Sequence, residues 1–205
     1  MSPARVATPS TSKTPTPSTY TIFFSGSFNP IHLGHLALAT SVLELSEVEK
    51  IVFLPLNRNP FGLDLAPAKN RLKLLELALV NNPNFSIETC ALNDQNACLT
   101  HYQVLFRYQK LHPKESLALL IGSDLLPNLD LWPDSTLLQD NFPLWIVPRP
   151  DFPLDSPLSS NMKVLDLPDN PAFSISAGQV ATALTKKQPL DNLLPAAIIP
   201  YFTAK

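Results

Sequence analysis

Short apolar runs alternate along this chain with segments of helical periodicity, and that alternation leaves few folds open. Tyr20 to Ser25 (YTIFFS), Ile51 to Leu54 (IVFL), Leu117 to Ile121 (LALLI) and Pro143 to Val147 (PLWIV) are short and almost uninterruptedly apolar. That is the pattern of strands buried on both faces, as in parallel sheets. Phe85 to Leu92 alternates like a further strand. Between the runs, Leu33–Leu45 carries Leu36, Ala39 and Leu43 at helical spacing, and Pro67–Val80 carries Leu72, Leu75 and Leu79 on one face. Thr100 is placed to cap a helix running to Leu111, and a helix-like stretch precedes Pro143. Ser176–Thr185 and Asn192–Phe202 read as helices. Strand and helix in alternation predict an α/β fold, a doubly wound, mainly parallel Rossmann-like sheet. Ligands of such sheets bind beyond the carboxyl ends of the strands, at the switch point. The loops after strands one, four and five are the places to search.

Composition narrows the partners. The chain has 205 residues and a net charge of −2, which fits one main domain without a broad electrostatic footprint for nucleic acid. No apolar run approaches the roughly 18 residues of a membrane-spanning helix. Two cysteines, Cys90 and Cys98, make neither a disulfide framework nor a close metal-binding pair, so a reducing, cytoplasmic setting is expected. Residues 1–19 are Pro/Ser/Thr-rich and free of acid, the composition of a disordered tail ahead of a domain over 20–205. The chain has 22 prolines and 5 glycines, so each glycine is informative, and Gly26 and Gly34 bracket one loop.

That loop runs Gly26-Ser27-Phe28-Asn29-Pro30-Ile31-His32-Leu33-Gly34-His35. Gly26 permits a sharp turn off the strand. The helix that follows offers free N–H groups and a positive dipole end, an anion site. His32 and His35 are three apart and share a face at that helix start. Two imidazoles there can donate hydrogen bonds to phosphate oxygens as charge builds, and Gly34 is expected to let a phosphate approach the backbone. Neither the Walker pattern nor the G-x-G-x-x-G dinucleotide fingerprint is present.

The string GSFNPIHLGH resembles the signature of the HxGH nucleotidyltransferase superfamily, and its asparagine-proline form is similar to the nicotinate-nucleotide adenylyltransferase family. Further likenesses are Gly122-Ser123-Asp124 through Trp132, Val147-Pro148-Arg149-Pro150, Arg71-Leu72 and Leu193-Leu194-Pro195, so the resemblance spans residues 20–203. It implies a nucleotidylyltransferase-type sheet and transfer of AMP from ATP to nicotinate or nicotinamide mononucleotide, with Mg2+ and release of pyrophosphate. His32 and His35 would be catalytic. Gly26, Ser27, Phe28, Gly34, Gly122, Asp124 and Ser176 would bind ATP. Asn29, Trp132 and Arg149 would meet the mononucleotide.

The chain departs from that pattern where the family carries I-S-S-T-x-I-R, because here Ile175-Ser176 is followed by Ala177, Gly178 and, in place of the arginine, Ala181. The family's P-H-K lysine is also replaced, by Gly62. Arg58 is the expected compensating cation, with Lys69, Lys186 and Lys187 as further candidates. These departures favour an alternative: a weakened nucleotide-binding relative acting as a sensor or binding module. An adenylyltransferase for another phosphorylated substrate is a third reading. Plain structural roles stand beside the functional ones. His101 and His112 read as surface residues, and Cys90 as a small buried hydrophobe in a strand. Asp124 suits a helix cap, Arg149 a strand-end snorkel, and Trp132 either core or ligand platform.

Overall fold

Among the described residues six parallel strands form one sheet in the order β3-β2-β1-β4-β5-β6. They are β1 (Tyr20–Gly26), β2 (Val48–Pro55), β3 (Phe85–Ile87), β4 (Ser116–Gly122), β5 (Leu144–Val147) and β6 (Met162–Val164). The computed structural model describes residues 19–57, 65–92, 99–154 and 158–203. The strand order reverses between β1 and β4, which pair directly, with Ile22 opposite Ala118 and Phe24 opposite Leu120. The crevice of the doubly wound sheet therefore opens beyond Gly26 and Gly122.

The continuously apolar strands bury both faces, as their sequences require. On one face Ile22, Phe24, Phe53 and Leu120 pack against α1 (Leu33–Leu43), α2 (Ala68–Leu79) and α5 (Ala177–Thr185) through Leu38, Leu75 and Val180. On the other, Phe23, Val52, Leu119 and Ile146 meet Val104 and Leu105 of α3 (His101–Leu111) and Leu138 of α4 (Ser135–Asn141). The Leu33 N–H donates to the Leu193 carbonyl at 2.9 Å, which ties the start of α1 to the C-terminal segment. No helix among the described residues is long and apolar enough to cross a membrane.

Four expectations change. The third strand stops at Ile87, and Cys90 opens a 3-10 turn (Cys90–Leu92) instead of sitting in a strand. Burial, and then the carboxyl group of Glu88, push its half-buried thiol up to about 12. The helix-like stretch after β4 is a 3-10 run (Ser123–Leu131) with Pro127 inside it, where a missing N–H does not support α geometry. The segment expected to be helical over 192–202 is a 3-10 turn (Ala196–Ile198) behind Pro195 and a short α6 (Ile199–Thr203). Strand β6 is three residues long, too short for any period to announce it.

Candidate active site

The turn from β1 into α1 is shaped by Phe28. Its φ of 44° lies in the left-handed region that a bulky residue enters only when its surroundings hold it there. The hold is the ring, 1% exposed and edge-on to His35 at 5.0 Å. The Phe28 ring thus underpins the site from below and is not among the residues lining the cavity. His32 occupies the N-cap position of α1 in extended conformation, and its N–H donates to His35 Nδ1 at 3.2 Å. With Nδ1 an acceptor, the neutral His35 ring carries its proton on Nε2. The two rings stack at 3.6 Å with 28° between their planes. His32 Nδ1 is buried and has no hydrogen-bond partner among the described residues.

Both rings are neutral at pH 7. Burial, and then the charge of Arg149, bring the His32 pKa down to about 4. Burial, then His32, then Arg149 hold His35 well below its ordinary value. The pair presents hydrogen-bonding nitrogens without net charge, in a setting where incoming negative charge would favour protonation.

The imidazoles line a cavity of about 1170 Å³ at the β1/β4 switch point, above the usual range for a small-molecule pocket. The sequence-predicted Gly26, Ser27, Asn29, Gly122, Asp124, Trp132, Arg149 and Ser176 also line it. A Cβ on Gly122 would lie 2.1 Å from Asp124 Oδ1, so a side chain there would displace that carboxylate. That carboxylate turns toward Arg149, whose Nε is 3.8 Å away. The Arg149 N–H donates to Ser123 Oγ at 2.8 Å, so the loop after β5 is pinned to the end of β4. The Ser176 hydroxyl accepts from the Gln179 N–H at 3.3 Å and caps α5, whose exposed first residues Ala177 and Gly178 also line the cavity.

Gly34 lines the cavity, but the space for its missing side chain is taken by backbone: a Cβ would sit 2.8 Å from the Ala172 carbonyl oxygen and 2.9 Å from that of Ile175. The absence of a side chain lets α1 pack closely on the 3-10 turn Pro171–Ser174. Lys69, Lys186 and Lys187 do not line the cavity, and Arg58 lies outside the described residues. Among the described residues Arg149, expected at the mononucleotide, is the cation that acts on both histidines. His101 is not a surface residue: its ring stacks on Trp132 at 4.5 Å and its Nε2 lies 2.7 Å from Ser25 Oγ. His112, by contrast, is partly exposed and pairs with Glu115 at 3.2 Å.

Arg71 was legible only as part of a helix pattern, yet it organises the site from behind. It is 2% exposed and donates to three carbonyls, those of Ala66 at 2.9 Å, Ser27 at 2.6 Å and Leu56 at 2.8 Å. It thereby joins the loops after β1 and β2 to α2. Arg71→Leu is expected to destabilise the fold by about 3 kcal/mol, since charge-assisted bonds vanish and buried carbonyls lose their donor. Arg71→Lys should recover little, lacking the planar fork. A denaturant midpoint unchanged in Arg71→Leu would refute this role.

The histidines also set a pH dependence. The folded-state pKa values of His32 and His101 are lowered to about 4, against about 6.5 in the unfolded chain. Between those values the unfolded state binds more protons, so stability is fully present above pH 6.5 and falls toward pH 4. The loss is roughly 3 kcal/mol for each ring by the lower limit. Urea midpoints are expected to drop steadily from pH 7 to pH 5; a flat profile would contradict burial of neutral rings.

Comparison with known proteins agrees with this geometry. The cytidylyltransferase-like family profile matches residues 23–183. A Bacteroides fragilis protein named "probable nicotinate-nucleotide adenylyltransferase" is 34% identical over 183 residues, covering 88% of this chain and 89% of its own. A Methylacidiphilum infernorum protein of the same name is 31% identical over 87% of this chain and 86% of its own. Among solved structures, a Plasmodium falciparum nicotinic acid mononucleotide adenylyltransferase complexed with NaAD superposes with a TM-score of 0.72 at 18% identity. The match covers 90% of this chain and 97% of the other, and it speaks for the fold.

Proposed function

The chain belongs to the nicotinate-nucleotide adenylyltransferase family, and from that premise we propose that it is a cytoplasmic enzyme of NAD synthesis, transferring AMP from ATP to nicotinate mononucleotide. The observation that carries this reading is the stacked neutral histidine pair lining a large cavity at the switch point. A 5′-phosphate oxygen of the mononucleotide attacks the α-phosphorus of ATP; the bond to the bridging oxygen breaks and pyrophosphate leaves. No covalent enzyme intermediate is needed, so catalysis is alignment and charge stabilisation. His35 donates from Nε2, and the His32 ring, stacked on it at 3.6 Å, borders the same anion. The first turn of α5 adds backbone N–H groups at the positive end of a helix. Gly122 and Asp124 border the ribose, and Trp132 supplies a flat face for the pyridine.

Arg149 takes the part expected of Arg58, a fixed positive charge beside both histidines. Arg149→Ala is expected to raise the KM for ATP about 10- to 100-fold, the cost of one charge-assisted contact. An unchanged KM would remove Arg149 from the triphosphate.

Among the described residues no group of three or more His, Cys, Asp or Glu side chains is placed to hold a metal. A magnesium ion would be carried in on the nucleotide, with Asp124 and Asp151 the carboxylates that line the cavity and could reach it. Such an ion neutralises phosphate charge.

The test is pyrophosphate release from ATP and magnesium, with nicotinate mononucleotide, nicotinamide mononucleotide or phosphopantetheine supplied separately. Release with nicotinate mononucleotide is expected. Release only with phosphopantetheine overturns the substrate, and nucleotide binding without release in any arm overturns the enzyme.

A further inference from the structure

The sequence pointed to Trp132 alone as the surface for the pyridine ring, but the structure gives that indole a partner. His101 opens α3, and Thr100 fixes its position. The Thr100 hydroxyl accepts from the Gln103 N–H at 3.2 Å and donates to Asp134 Oδ2 at 2.7 Å. The His101 ring lies nearly parallel to Trp132, with 19° between planes and 4.5 Å between centroids. Its Nε2 is 2.7 Å from the hydroxyl of Ser25, the residue before Gly26 at the end of β1. Ser25, His101 and Trp132 all line the cavity that holds the histidine pair. Burial brings the His101 pKa down to about 4, so at pH 7 the ring is an uncharged π face.

We propose that His101 is a positioning residue for the pyridine end of the cavity: anchored by Ser25, it sets the plane of Trp132 against which the aromatic ring of the mononucleotide stacks. An indole on the short segment between a 3-10 run and α4 has two free torsions; a second ring stacked on it removes that freedom before substrate arrives, and preorganisation of this kind lowers the ordering cost of binding. The Ser25 contact couples the platform to the turn that presents the phosphate-binding histidines, so both ends of the substrate are referenced to β1. The inference rests on the adenylyltransferase reading.

The experiment measures nicotinate mononucleotide and ATP affinities by calorimetry, each ligand alone, for the intact chain and for His101→Ala, His101→Phe and Ser25→Ala. His101→Ala is expected to weaken the mononucleotide about 10-fold, with ATP changed less than about 2-fold. His101→Phe keeps the stack and should recover most of the loss. Ser25→Ala should fall between, and the Ser25→Ala/His101→Ala double variant should be no weaker than His101→Ala, because both remove one interaction. Equal weakening of both ligands, or a fully additive double variant, overturns the proposal. Tighter mononucleotide binding in His101→Ala also overturns it, since His101 would then obstruct the indole. If His101→Ala fails to fold, His101→Phe and Ser25→Ala decide: selective weakening by Ser25→Ala supports the proposal, and no change overturns it. Turnover by the unaltered chain is read separately. Mononucleotide binding without turnover removes the enzyme and leaves His101 in place; no mononucleotide binding by the unaltered chain overturns both.

Discussion

Replacing His35 with alanine lowers kcat/KM by about 10³-fold, with little change in thermal stability. Losing one preorganised donor to a developing oxyanion costs roughly 10²- to 10³-fold by itself. His35 does more than donate. Its Nδ1 accepts the His32 N–H at 3.2 Å, and its ring is the face on which His32 stacks at 3.6 Å. Alanine removes all three functions together, so the loss belongs at the upper end. Stability holds because Phe28, edge-on to His35, remains packed on Phe24 and Phe53 at 5.6 and 5.5 Å. Single-turnover pyrophosphate release alongside a melting curve checks both halves. A loss below tenfold would show that the pair does not act on the transferring phosphoryl group.

Gly34→Ala gives the second large effect, by a different route. The added Cβ would lie 2.8 and 2.9 Å from two backbone carbonyl oxygens and 3.0 Å from His32 Nδ1. Backbone cannot rotate away as a side chain can, so α1 must separate from the 3-10 turn Pro171–Ser174. Overpacking of this kind costs about 1–3 kcal/mol. The same separation moves the start of α5 away from the histidines, so activity should fall more than tenfold even where the fold survives. Gly178→Ala is the control. There a Cβ meets only Ser176 Oγ, at 3.7 Å, an ordinary contact in the first turn of a helix. That variant is expected to be as stable as the parent or up to about 1 kcal/mol more so. Equal denaturant midpoints for the two variants would contradict the packing account.

Both predictions depend on features that the sequence carried unequally. The parallel sheet was legible because β1, β2, β4 and β5 are buried on both faces and lack alternation. The histidine pair was legible because its spacing places both rings at one helix start, beside a glycine that ends a strand. Gly34 was legible as a special position but not in its use, since the carbonyls it admits come from residues about 140 positions away. Arg149 was legible as a site residue but its nearness to the histidines was not, because its position is set by the Ser123 hydroxyl and the loop after β5. His101 carried no signal: a lone histidine at a helix start looks like surface until β1 and Trp132 are folded against it. Arg71 likewise shows a helical pattern, while its three carbonyl partners belong to two loops, those after β1 and β2.

In the proposed reaction the two stacked imidazoles contact the triphosphate. NMR titration of 13C-labelled histidines tests it most directly, with His32 and His35 assigned through the single alanine variants. In the free protein both rings should stay neutral down to pH 5. On saturation with a non-hydrolysable ATP analogue, the account predicts large shifts of both imidazole signals and a rise of at least one unit in the pKa of one or both, because phosphate charge offsets the burial and Arg149 effects. Saturable binding of the analogue with both signals and both titrations unmoved would contradict it.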